Sequence, residues 1–169
     1  SGVKCLKMTN ASAADGYICK GGTVTLRVSG ADNDGWYQWY EDKDDVQAIA
    51  GQQGSEFTTP SLVKSKTYFV AVVNALGCEG PRTPVTAIVS YPEELTLTAE
   101  GSTLISGAAE GNQWYLNGVL LDNATSNILN VQESGIYTVN ATNGGCVSTA
   151  WIEFEGGEGA WPQGFRINC

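Results

Sequence analysis

A chain of 169 residues that is 42% apolar can bury a core as one large domain or two small ones, and at 16% charged it is no disordered polyelectrolyte. It contains no histidine, which excludes His-dependent triads, His-ligated zinc or haem, and imidazole acid–base pairs. Its net charge of −9, without a basic stripe, argues against nucleic acid or anionic lipid as a partner.

Short alternating runs follow one another in chain order: Thr23–Val28, Tyr68–Val73, Leu95–Thr98, Ile136–Ala141 and Ala150–Phe154. Each is bounded by Gly, Asn, Asp, Pro or Ser, the punctuation of short strands joined by tight turns. No window carries a helical apolar period, and no apolar run reaches the roughly 18 residues of a membrane span. The expectation is an all-β protein that is not transmembrane. Gln38-Trp39-Tyr40 recurs as Gln113-Trp114-Tyr115, and the run Thr67–Asn74 before Gly77-Cys78 recurs as Ile136–Asn143 before Gly145-Cys146. This internal repeat predicts two sandwiches, over residues 1–90 and 91–155, followed by a tail over 156–169. The short join at Ser90-Tyr91-Pro92-Glu93 predicts an extended pair. Trp39 and Trp114 are expected to fill the space between two sheets, as in immunoglobulin-like domains, and Glu133–Tyr137 has the form of a tyrosine corner with Tyr68 as its counterpart.

The charge is unevenly spread. Residues 1–90 hold nine acidic and eight basic side chains, a difference of −1, whereas residues 91–169 hold nine acidic ones and Arg166 alone, a difference of −8. The second half reads first as a solubilising surface and second as a face for a cationic partner. Having no lysine, it cannot form a Lys–Asn isopeptide staple within itself.

Ile18-Cys19-Lys20-Gly21-Gly22-Thr23-Val24-Thr25-Leu26, Trp39-Tyr40, Thr67-Tyr68 and Asn74-Ala75-Leu76-Gly77-Cys78 together resemble a specific module. It is the Ig-like repeat of secreted and cell-surface proteins of Bacteroidota, including gliding-motility adhesins. Gly111–Gly118 through Ser134–Tyr137 resembles a sister repeat. The resemblance implies a non-catalytic extracellular or cell-surface module serving adhesion or surface assembly, a filament subunit being one form of the latter, with no cofactor. Nothing in the chain resembles the family's C-terminal sorting domain, which leaves an excised fragment or a small subunit exported by another route.

The five cysteines contain no CxxC pair, and without histidine a zinc cage would need four gathered thiolates, so disulfides in an oxidising compartment are the simpler reading. The resemblance implies a Cys19–Cys78 bridge. In the second repeat Cys146 lacks its usual partner and Cys169 is the replacement, which leaves Cys5 as the odd thiol, available to another chain.

Other site expectations concern carboxylates and aromatics. Asp32, Asp34 and Asp44 flank the first QWY strand and could converge as a weak calcium site, though not with EF-hand spacing, or as a glycosidase pair in a cleft that two small sandwiches do not suggest. Unless a bulge intervenes, Trp36, Gln38 and Tyr40 share an outer face, an exposed strip that could stack on sugar rings or dock a protein, with Tyr115 a further candidate contact; the other reading is that the neighbouring domain or N-terminal segment buries Trp36. In the tail, Trp161 and Phe165 are costly to leave in water, so the tail either folds back on the second sandwich or adds a strand to a neighbouring subunit. Expected partners are thus proteins, the chain itself, or glycans.

Overall fold

The computed structural model describes residues 5–156 and 167–168; Trp161, Phe165 and Cys169, with the expectations attached to them, lie outside the described residues. Strands and turns make up the described chain, without a helix. It divides into two compact units, Ser1–Tyr91 and Pro92–Cys169.

The first unit contains β1 (Ser12–Ala14), β2 (Gly16–Cys19), β3 (Thr25–Ser29), β4 (Trp36–Tyr40), β5 (Glu56–Thr58), β6 (Lys66–Val73) and β7 (Thr83–Ser90). They form a three-stranded sheet, β1-β3-β5, and a four-stranded sheet, β2-β7-β6-β4. Alternation explains the first: in β3, Leu26 and Val28 are buried while Arg27 stands outside and pairs with Glu56 at 2.9 Å. Between the sheets lie Trp39, Phe57 and Tyr68, with ring centroids 5.3 and 5.0 Å apart in succession. β2 runs parallel to β7, with Cys19 opposite Ser90 at the far end of the pair.

The second unit contains β8 (Leu97–Glu100), β9 (Thr103–Ser106), β10 (Asn112–Leu116), β11 (Val119–Leu120), β12 (Ile128–Asn130), β13 (Gly135–Asn143), β14 (Cys146–Phe154) and β15 (Ile167–Asn168). Its sheets are β12-β9-β8 and β11-β10-β13-β14-β15. Two tight hairpins set the register of the larger sheet. Asn117-Gly118 turns β10 into β11 with φ of 49° and 79°, and Gly144-Gly145 turns β13 into β14 with φ of 55° and 79°. Both are two-residue turns of the kind whose left-handed backbone suits asparagine and glycine. β15 pairs antiparallel with β14, Ile167 opposite Ile152 and Asn168 opposite Trp151, so these two tail residues lie on the edge of their own sheet.

The two tryptophans occupy equivalent places. Each is fully buried; Trp39 lies opposite Val70 and Trp114 opposite Val139, where antibody domains carry the inter-sheet cysteine. The Trp39 indole N–H donates to the Gly54 carbonyl at 3.0 Å and that of Trp114 to the Ser126 carbonyl at 2.8 Å. A tyrosine corner closes only in the second unit: the Tyr137 hydroxyl donates to the Glu133 carbonyl at 2.9 Å. Among the described residues Tyr68 makes no such bond; the Lys66 ammonium instead sits 5.0 Å from its ring centre.

Candidate functional site

The disulfide that forms in the first unit is Cys5–Cys78, which corrects two expectations at once: Cys78 does not pair with Cys19, and Cys5 is not an odd thiol left for another chain. The reason lies in the strand order. Gly80 donates its N–H to the Val72 carbonyl and Val73 bridges Glu79, which holds Cys78 beside the end of β6. Cys19 lies beside Ser90, beyond the start of β6, where Lys66 pairs with Ala87. The length of β6 separates the two ends, roughly 25 Å at about 3.3 Å per residue, and a disulfide tolerates about 7 Å between Cα atoms. The N-terminal segment lies close instead, with the Asn74 amide donating to the Met8 sulfur at 3.4 Å. Cys19 and Cys146 are disulfide-bonded as well.

The carboxylates do not converge. Asp32 and Asp34 lie in the turn before β4, and Asp44 in the turn after it, so a five-residue strand of roughly 16 Å keeps them apart. Calcium ligands lie at about 2.5 Å from the ion, and a glycosidase pair needs its carboxyls within about 10 Å. No group of three or more acidic or cysteine side chains close enough to hold a metal occurs among the described residues.

The aromatic strip is likewise divided. Tyr40 is only 3% exposed. The connection from β6 to β7 turns back beside β6, with the Asn74 N–H donating to the Cys78 carbonyl and Glu79 bridging Val73; Ala71, Val73 and Cys78 are buried. Asn74 organises its start, its side-chain oxygen accepting from the N–H groups of Leu76 and Cys78. At its end the Arg82 guanidinium lies 3.4 Å from the Tyr40 ring centre. Arg82 also donates to Glu79 at 2.9 Å and to the carbonyls of Lys43 and Asp45 at 2.8 Å each, while the Tyr40 hydroxyl donates to Glu79 at 2.7 Å. Burial raises the Tyr40 pKa, and the Glu79 hydrogen bond adds to it. For Arg82 burial acts against the charge, but the Glu79 bond and charge outweigh it and its pKa is raised. Tyr40 is therefore withdrawn as a contact for an outside sugar or protein. Trp36 is half-buried, its indole nitrogen enclosed and without a hydrogen-bond partner among the described residues.

Tyr115 remains open. It is half-buried on the outer face of the five-stranded sheet, opposite Leu120 on one side and Thr138 on the other, and Thr138 in turn opposes Trp151. Alternation places Ile136, Val147 and Glu153 on the same face, with Ile136 opposite Glu153. Leu120, Ile136 and Val147 are 48, 45 and 52% exposed. Trp151, which is absent from the aromatics singled out above, has a signal in the sequence: its place in an alternating run, one residue off the buried positions Ala150 and Ile152. No lysine or arginine occurs from Pro92 to Phe165, and Arg166 lies outside the described residues.

Comparison with known proteins fits this architecture. Residues 8–92 match the family model described as "Ig-like domain CHU_C associated". No curated protein matches the chain. Among solved structures, murine CEACAM1b aligns over 86% of this chain and 98% of its own at 14% identity with a TM-score of 0.46. Fibronectin(III)-like modules of Clostridium thermocellum CbhA align over 85% of each chain at 11% identity with a TM-score of 0.47. The N-terminal four Ig domains of Dscam1 isoform 4.44 align over 89% of this chain and 45% of theirs at 14% identity, TM-score 0.32. Likenesses this weak carry no argument about partners or activity.

Proposed function

The chain belongs to the CHU_C-associated family of Ig-like domains, and from that premise we propose that it is a non-catalytic structural or adhesive module of a bacterial cell surface. The second unit is, in this reading, a sister Ig-like repeat of the Bacteroidota surface type: it repeats the buried tryptophan, the valine opposite it and the indole-to-carbonyl hydrogen bond of the first.

The observation that carries the location is the disulfide chemistry. Cys5–Cys78 is formed and Cys19 and Cys146 are bonded, a state that persists in an oxidising compartment and not in a reducing cytosol. Membership of a surface assembly or filament would be non-covalent at Cys5, whose sulfur is already engaged. A carbohydrate-binding reading retains Tyr115 from the three aromatics first singled out, since Tyr40 is covered and Trp36 half-buried. The test is labelling of intact cells of the source bacterium with a membrane-impermeant amine reagent, followed by non-reducing electrophoresis. Labelled, disulfide-bonded protein is the expected result; protein labelled only after lysis, with free thiols, would overturn the surface reading.

A further inference from the structure

The two units treat the tyrosine of the QWY motif in opposite ways, and the difference specifies a ligand chemistry. In the first unit the tyrosine face is completed from within: Arg82 stacks on Tyr40 at 3.4 Å and is oriented by Glu79. In the second unit the matching tyrosine, Tyr115, stands in a cross-strand row with Leu120, Thr138 and Trp151, and among the described residues no cation stacks on its ring. Glu153 lies on the same face, next to Trp151 in sequence terms by two residues along β14. From Pro92 to Phe165 the chain offers carboxylates and no cation.

We propose that the outer face of the β11-β10-β13-β14 sheet, centred on Tyr115 and Trp151, docks an arginine-bearing segment of a partner protein, a guanidinium stacking there as Arg82 stacks on Tyr40. Guanidinium suits this surface better than ammonium because it is planar, weakly hydrated and stacks on aromatic faces while its edge reaches a carboxylate. Charge complementarity selects the partner: the second unit's excess of acid attracts a cationic segment and repels a second copy of itself. The exposed apolar side chains around the two rings supply area that a charged segment's aliphatic stems can cover.

This inference rests on the reading of the chain as a binding module, and its test is a solution measurement independent of where the protein resides. The intact disulfide-bonded chain is titrated with octa-arginine, octa-lysine and cellohexaose at about 0.15 M salt, following backbone amide resonances. Octa-arginine is expected to shift Tyr115, Thr138 and Trp151 and to bind about fivefold more tightly than octa-lysine. Trp151→Ala and Tyr115→Ala should each weaken it severalfold. Thr138→Arg, at a partly exposed position between the two rings, should do the same by filling the face from within, which keeps the test sound if either alanine variant folds poorly. Equal binding of the two cationic peptides, or shifts confined to acidic loops, would reduce the effect to bulk charge and overturn the proposal. Binding of cellohexaose at these residues with no arginine preference would overturn it in favour of a glycan. Tighter binding on Arg166→Ala would mean that the chain's own tail fills the face, and would overturn the outside partner. None of these outcomes bears on the cell-labelling result, so the two readings fail separately.

Discussion

In the first unit the chain turns back after β6, Glu79 bridging Val73, and the side chains of Glu79 and Arg82 meet Tyr40 on the outer face of the sheet. In the second, Gly144 and Gly145 join β13 to β14, and on the corresponding face Leu120, Ile136 and Val147 are exposed and Tyr115 and Trp151 half-buried among the described residues. The cores beneath are alike: one buried tryptophan opposite one valine. The contrast teaches that these sandwiches separate folding from display. The core is held constant while the side chains around the QWY tyrosine differ: Arg82 and Glu79 occupy Tyr40, and among the described residues no cation stacks on Tyr115. The sheet edges differ in the same spirit, since β7 is flanked by a parallel strand from the start of its unit and β14 by an antiparallel strand from the tail.

The largest test of the shared core is Trp39→Ala against Trp114→Ala. Each should cost about 3–5 kcal/mol in its own unit, read by denaturant titration with residue-resolved hydrogen exchange. Equal loss of protection in both units from either change would show that the cores are not separate. Next, Cys5→Ser with Cys78→Ser should destabilise the first unit by about 2–4 kcal/mol and leave exchange in the second unaltered. Smaller again, Tyr137→Phe removes a hydrogen bond worth about 1 kcal/mol, while Tyr68→Phe removes none and should be near neutral. A comparable loss from both would break the distinction between a closed and an open tyrosine corner.

The smallest effect is alkaline. Burial raises the pKa of Tyr40, Tyr68 and Tyr137 above the ordinary value of 10.0. A folded-state pKa above the unfolded one means stability that is intact below about pH 10 and lost as the pH rises through the folded value. With two such tyrosines against one, the first unit should lose more stability than the second above about pH 10, as checked by urea midpoints measured at pH 8 and pH 11.

The strands and the two core tryptophans could be read from the sequence because alternation and the QWY repeat are local signals. The disulfide could not. Cys19 and Cys78 look like partners along the chain, yet the parallel pairing of β2 with β7 carries Cys19 to one end of the sheet while the turn after β6 keeps Cys78 at the other. Tyr40 misled for a similar reason: strand period places it on the outer face correctly, but its cover comes from Arg82, forty-two positions away and invisible to any period. The acidic turns failed as a metal site because proximity in sequence across a strand is distance in space. Trp151 shows the reverse case, a residue whose face was legible from alternation once the register was known.

The Cys5–Cys78 bond also has a mechanical meaning. The bond joins positions 73 apart in sequence, so tension entering the chain ahead of Cys5 reaches Cys78 through sulfur. Cys19, inside that loop, is disulfide-bonded in turn and gives the loop a further covalent tie. How far the chain of the first unit can be drawn out is therefore set by sulfur links, and chemical reduction releases that limit.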